Sequence, residues 1–290
     1  MNPLAAPLAR WYVRQARDLP WRHPEVSPWG ILVSEIMLQQ TPGARVIPYW
    51  TRWMERWPTP VDLADATPAE VIQAWGTLGY PRRGLRLREC GVVIATSHGG
   101  AVPRDEIVLR TLPGIGEYTA AAVAAFAYGQ RTVVLDTNIR RVIARTVGGQ
   151  ALPNPALTNP ERALAASLLP DDPAESVRWN QATMELGATL CAARSTMCEP
   201  CPVKDLCAWR AASYPGDLHA GKRRPQGYEG TDRQARGRVL AMLREADGEL
   251  VPIEAMLAAL PRRDQAERAV ESLLADSLAE RIGEALRLPA

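Results

Sequence analysis

Lysine is almost absent from this chain: of 34 Lys and Arg residues, only Lys204 and Lys222 are lysines. Schiff-base chemistry therefore has two side-chain amines to draw on in 290 residues. Long apolar runs are missing as well. No stretch approaches the ~20 residues that span a bilayer, and Met1 to Tyr12 lacks the apolar segment of a secretion signal, so a cytoplasmic protein with no membrane partner is expected. β-strand patterning is sparse before residue 230, which leaves a helical body. Net charge is small, +2, but unevenly spread: residues 1–228 carry 25 basic against 20 acidic side chains, and residues 229–290 carry 9 against 12. A basic body suits a phosphate backbone, whereas an acidic tail is expected to pack on the body or to bind another protein.

What is present is helical punctuation. Ala69–Leu78, Ile107–Leu112, Tyr118–Tyr128 and Pro160–Leu169 have helical spacing broken by Pro and Gly. Tyr214–Tyr228, rich in Gly, Pro and charge, reads as a linker. Beyond it, Asp232 is placed to cap a helix reaching about Glu245. Helices near Pro252–Leu260 and Arg263–Ala275 follow, and two short strands, Leu278–Ile282 and Ala285–Leu288, flank Gly283-Glu284. Three helices and a hairpin make either a winged-helix-like unit or a plain helical appendage.

Four of the five cysteines, Cys191, Cys198, Cys201 and Cys207, lie within seventeen residues with spacing C-x6-C-x2-C-x5-C. That suits a metal centre better than disulfides in a chain without a secretion signal, and spacing alone leaves zinc and a [4Fe–4S] cluster level. Cys90 stands apart and reads as a small buried side chain. Leu112-Pro113-Gly114-Ile115-Gly116 joins two helical segments. It is either an ordinary tight turn or a place where Gly114 and Gly116 let backbone N–H groups meet a DNA phosphate.

Followed by Tyr118-Thr119-Ala120-Ala121 and by Leu135-Asp136-Thr137-Asn138, this turn resembles the helix-hairpin-helix and aspartate of the endonuclease III-like DNA glycosylases, whose cysteine loop has the same spacing and holds a [4Fe–4S] cluster. Leu19-Pro20-Trp21-Arg22 and Val33-Ser34-Glu35-Ile36-Met37-Leu38-Gln39-Gln40-Thr41 resemble the MutY-type adenine DNA glycosylases. The resemblance covers roughly residues 10–212. It implies that Glu35 protonates the departing adenine and that Asp136 stabilises the oxocarbenium ion, with Tyr118 and Asn138 beside it. It further implies that Trp21, Arg22 and Glu185 line the adenine pocket. Gln39 or Gln40 would wedge into the vacated stack, and Tyr80 would intercalate near the opposite base. An apolar stretch around Glu35 agrees with the first role, because desolvation favours a protonated carboxyl; Asp136 would equally serve as a helix N-cap.

Bifunctional members carry a lysine where this chain has Tyr118, so monofunctional hydrolysis without strong strand cleavage is expected. Two departures stand out. Tyr80 continues as Pro81-Arg82-Arg83-Gly84 where the family usually reads Tyr-Ala-Arg, and the C-terminal residues are too few for the family's Nudix-like domain. The base opposite the adenine, 8-oxoguanine or G, is left open, with discrimination assigned to Tyr80 and its wedge neighbours.

The expected fold is an all-α, two-module body with an iron–sulfur loop plus the small C-terminal unit. A six-helix module covers 22–127, a cluster module 1–21 plus 128–212, a linker 213–231 and the winged-helix-like unit 232–290. The flipped base would enter a cleft between the modules. The expected partner is mispaired double-stranded DNA, bound by a monomer. A thymine or uracil mismatch glycosylase and a non-enzymatic iron–sulfur DNA-binding regulator are the alternatives. The Trp21-Arg22 block, Gln39-Gln40 and Glu185 favour adenine over the first, and the paired carboxylates Glu35 and Asp136 weigh against the second.

Overall fold

Thr59, Thr67 and Thr158 each open a helix by the same reciprocal device. The hydroxyl accepts the backbone N–H three residues on, and the acid there (Asp62, Glu70 or Glu161) accepts the threonine's own N–H. Proline follows at the first or second helical position in all three, where its missing N–H costs nothing.

The computed structural model describes residues 2–222 and 227–290; of the expected linker 213–231, residues 223–226 lie outside the described ones. The body is helical, as the sequence implied. Its elements are α1 (Ala5–Gln15), α2 (Pro28–Leu38), α3 (Gly43–Arg56), α4 (Pro60–Ala64), α5 (Pro68–Trp75), α6 (Arg82–Ser97), α7 (Glu106–Leu109) and α8 (Glu117–Tyr128). There follow α9 (Thr137–Thr146), α10 (Asn159–Leu168), α11 (Pro173–Thr189) and the short α12 (Ala208–Ala211). Among the described residues no helix is long and apolar enough to cross a membrane.

Two compact units share these elements. The first takes in Met1–Leu32, Arg104–Thr111 and Ile115–Arg224. Its core sets Leu8, Trp11 and Tyr12 of α1 and Val142 of α9 against Trp179, Ala182 and Leu186 of α11. The alanines Ala121, Ala122 and Ala125 of α8 pack with Ile139 and Ile143 of α9 in a second cluster, where small side chains let helices approach closely. The second unit comprises Val33–Pro103, Leu112–Gly114 and Pro225–Ala290. Trp53 is central there, meeting Trp57 and Trp75 edge-on at ring separations of 4.7 and 5.6 Å.

The C-terminal segment runs α13 (Asp232–Glu245), β1 (Val251–Pro252), α14 (Ile253–Ala258), α15 (Arg263–Ala275), β2 (Glu280–Ile282) and β3 (Ala285–Arg287). β3 lies between β1 and β2, antiparallel to both, and Gly283 turns the hairpin at a positive φ of 57°. This is the winged-helix arrangement, with β1 an addition to the sequence reading. The cap differs from expectation: the Thr231 hydroxyl accepts from Gln234 N, freeing Asp232 to bind Gln265 and Arg268 of α15. Leu240, Leu257 and Leu273 share one core with Ile72 of α5, with Ala69 and Leu85 packed against it, so the segment is fastened to α5 and α6. Its arginines are largely neutralised locally: Arg262, Arg263, Arg268, Arg281 and Arg287 all pair with acids of the same segment.

Candidate active site

Asp136 is the N-cap of α9, in extended backbone one residue before the helix. Its Oδ1 accepts the Ile139 N–H at 2.6 Å and its Oδ2 accepts from Asn138 Nδ2 at 2.6 Å. The structural role as cap and the expected chemical role thus fall on one carboxylate, held at both oxygens. Burial pushes its acid dissociation above the ordinary aspartate range, against the opposing pull of these hydrogen bonds and of Arg141.

Asn138 is fixed in turn. Its Oδ1 accepts from Arg141 Nη2 at 2.8 Å, and the same guanidinium donates to the carbonyls of Gly187 (2.6 Å) and Cys191 (2.8 Å). Gly187 allows α11 to sit on this turn, since a Cβ there would stand 2.7 Å from the Asn138 Cβ and 2.9 Å from its carbonyl oxygen. Tyr118, one residue into α8, is half-buried against the cluster that contains Ile139.

Glu185 is fully buried on α11. Arg17 donates to both its oxygens, Nε at 2.6 Å and Nη2 at 2.9 Å, and Arg22 Nη2 donates to Oε2 at 2.8 Å. Burial alone would raise this carboxyl, but the two guanidinium groups outweigh it and hold it below the usual range. Arg22 also lies over the Tyr12 ring at 5.6 Å, and Trp21 is buried in the 3-10 turn Pro20–Arg22. The structure therefore brings Arg22 and Glu185 into direct contact. Arg17 was missed from sequence: 168 residues separate it from Glu185, and no local spacing signals such a pair.

In the second unit, Glu35 is buried at 5 % exposure on α2, consistent with its apolar flanks. Gln40 and Tyr80 are both left-handed, φ 56° and 48°, a conformation that side-chain-bearing residues seldom hold unless their surroundings enforce it. Arg83 enforces both. It donates to the carbonyls of Ile36 (2.9 Å), Gln39 and Gly79 (3.0 Å), tying the end of α2 to the Tyr80 turn, and it lies 5.5 Å from the Tyr80 ring. A cleft of about 340 Å³ results, lined by Gln39, Gln40, Tyr80, Arg82, Arg86 and Gly114 among others. Gly114 has φ 78°, and a Cβ there would press on Arg86 at 3.0 Å, so two requirements select glycine. Gly116 opens α8 in extended backbone with no side-chain cap and open space where a Cβ would point, as a phosphate contact requires.

A model of the HhH-GPD (helix-hairpin-helix) superfamily of base excision DNA repair proteins matches residues 33–164. The adenine DNA glycosylase of Mycobacterium tuberculosis is 53% identical over 274 residues, covering 94% of this chain and 89% of its own. The chain belongs to the adenine DNA glycosylases of this superfamily. The Mycolicibacterium smegmatis adenine DNA glycosylase is 52% identical, covering 94% of this chain and 91% of its own. A match of that extent takes in most of the winged-helix-like segment. Among solved structures, that of a thermostable thymine-DNA glycosylase agrees with a TM-score of 0.64 at 29% identity, over 72% of this chain and 95% of its own.

The cysteine loop follows α11. Cys191 and Cys201 pack against the core of the first unit, and Arg145 of α9 reaches the loop, with Nη1 3.2 Å from Cys191 Sγ and 2.9 Å from the Ala192 carbonyl. Cys207 Sγ lies 3.6 Å from the Arg145 carbonyl oxygen. Burial, the largest cause, pushes the Cys201 thiol up to about 11. Among the described residues no three His, Cys, Asp or Glu side chains converge on a single ion position. Four thiols and no carboxylate are nonetheless a donor set for a thiolate-bound centre. Cys90 is fully buried and its thiol is pushed up to about 12 by burial, the behaviour of an inert core residue.

Proposed function

We propose that this chain hydrolyses the N-glycosidic bond of adenine mispaired with 8-oxoguanine or G in duplex DNA, as a monofunctional glycosylase of base excision repair. It would act as a monomer in the cytoplasm, on the chromosome. The observation that carries the reading is the Asp136 carboxylate, held at both oxygens by Asn138 and the start of α9, so that its charge is in place before a cation forms. Glu35, buried on α2, supplies the proton. The bond from C1′ to the base breaks and adenine leaves with the Glu35 proton. Asp136 stabilises the sugar cation, water adds to C1′, and the proton that water loses recharges Glu35. Two carboxylates divide this work as they do in glycoside hydrolysis. The side chain at the hairpin is Tyr118, which has no amine to form a Schiff base, so the product is an intact abasic strand.

Trp21 and the Arg22–Glu185 pair would line the adenine pocket, and Gln39 or Gln40 would fill the emptied stack. Gly114 and Gly116 would meet a backbone phosphate. Cys191, Cys198, Cys201 and Cys207 would hold a [4Fe–4S] cluster; bound there, it would fix the loop electrostatically and structurally, outside the chemistry. Anaerobically purified protein should contain about four irons and four labile sulfides, the complement of that cluster; stoichiometric zinc without sulfide overturns this part of the reading. The reading as a whole is tested by base release from duplexes carrying A, T or U opposite 8-oxoguanine or G. Adenine alone should be released. Release of T or U, by contrast, favours the thymine-type relatives.

A further inference from the structure

We infer that Arg82 selects the base opposite the excised adenine, and that the C-terminal segment takes part in this choice because Asp276 holds the Arg82 guanidinium. The inference rests on the adenine reading and deepens it.

Asp276 follows α15 and divides its carboxylate between two arginines. Oδ1 lies 2.9 Å from Arg82 Nη1, and Oδ2 binds Arg236 Nη2, whose other arm donates to Ser272 Oγ at 2.8 Å. The carboxylate is mostly buried, with 19% of the side chain exposed, so this is a fixed anchor. The Arg236 guanidinium is committed to Asp276 within the segment.

Arg82 opens α6 two residues after the left-handed Tyr80, and it borders the same cleft as Gln39, Gln40 and Tyr80. The three cleft arginines are not equivalent. Arg83 turns both terminal nitrogens to the carbonyls of Ile36, Gln39 and Gly79. Arg86 is paired with Glu89 at 2.7 Å and stands against Gly114. Arg82 is half-exposed, gives one arm to Asp276 and borders the cleft.

A guanidinium is a rigid fork of donors, suited to the acceptor edge of a purine. Guanine offers O6 and N7 there. In 8-oxoguanine N7 carries a hydrogen and a new acceptor, O8, stands beside it. A fork anchored from one side by Asp276 cannot swing freely between these patterns, so we assign its donors to O8. The C-terminal segment would then act on specificity through one carboxylate, without gripping DNA itself.

The test is single-turnover adenine release by the full chain from A:8-oxoguanine and A:G duplexes. Arg82→Ala and Asp276→Ala should each lower the ratio of the two rates on the order of fivefold, a partly exposed share of a base contact. The double variant should lose no more than Arg82→Ala alone, because both changes remove one interaction. Arg82→Lys should keep duplex affinity while losing the ratio, which a merely structural role would not produce. Arg82→Ala leaves the C-terminal core intact, so it decides the matter even if Asp276→Ala unfolds. A wild-type ratio in Arg82→Ala, or losses that multiply in the double variant, overturns the inference alone. Failure of the unmodified protein to release adenine from either duplex overturns the adenine reading and this inference together.

Discussion

Asn138 donates to Asp136 Oδ2 across 2.6 Å while its own carbonyl oxygen accepts from Arg141 at 2.8 Å. An amide so placed can point only one way, with its N–H toward the carboxylate and its oxygen toward the guanidinium. α9 and its N-cap thus present Asp136, Asn138, Arg141 and Arg145 in succession, from the capping carboxylate to the Cys191 sulfur.

The pH dependence of base release follows from this geometry. Burial raises Asp136 above the ordinary aspartate range, and the Asn138 hydrogen bond opposes that rise. The proposed mechanism uses the ionised form, so activity should be lost as pH falls through the raised value. Asn138→Ala removes an opposing hydrogen bond and should move the acid limb to higher pH. The rate on its plateau should fall on the order of tenfold, since a bond to a charged group is lost. An unmoved acid limb in a pH–rate profile would detach Asp136 from it.

Asp136→Asn should separate stability from activity. A carboxyl whose acid dissociation is raised on folding favours the folded state below its unfolded value, and that contribution is lost as pH rises through the raised folded value, leaving the buried charge as a cost. Asparagine caps a helix as well as aspartate does and carries no buried charge. The variant should therefore melt at or above the wild-type Tm at pH 7 while base release collapses. A clear fall in Tm would mean that the charge stabilises the fold.

Glu185 has the opposite sign. Arg17 and Arg22 hold its carboxyl below the usual range despite burial, so its stabilisation is present above the ordinary glutamate value and is lost as pH falls through the depressed one. Glu185→Ala strands two guanidinium groups, one of them largely buried, and should cost about 3 kcal/mol at pH 7. Urea unfolding at pH 7 and at acid pH measures the difference between the variants, which should shrink in acid.

Much of this was legible in the sequence because it is local. α13 and α15 and the Gly283 hairpin follow from cap, period and turn chemistry, and the buried positions of Glu35 and Cys90 follow from their apolar neighbours. Arg17, Arg83 and Asp276 were not legible. Their partners are Glu185, the carbonyls of Ile36 and Gln39, and Arg82, between 44 and 194 residues away for the nearest and farthest pair, and only the packed fold brings them together. The cap of α13 was misplaced by one residue because Thr231 and Asp232 are both good caps, and the choice was made by α15, which claims Asp232 through Gln265 and Arg268.

The central claim is that two carboxylates break one glycosidic bond with no amine involved. Single-turnover release of adenine from an A:8-oxoguanine duplex tests it, comparing wild type with Asp136→Asn and Glu35→Gln, with and without alkali to open abasic sites. Wild type should release adenine and leave a strand that breaks only with alkali. Each variant should be slowed at least roughly a hundredfold, with duplex binding retained. Wild-type rates in either variant, or strand cleavage without alkali, would contradict the account.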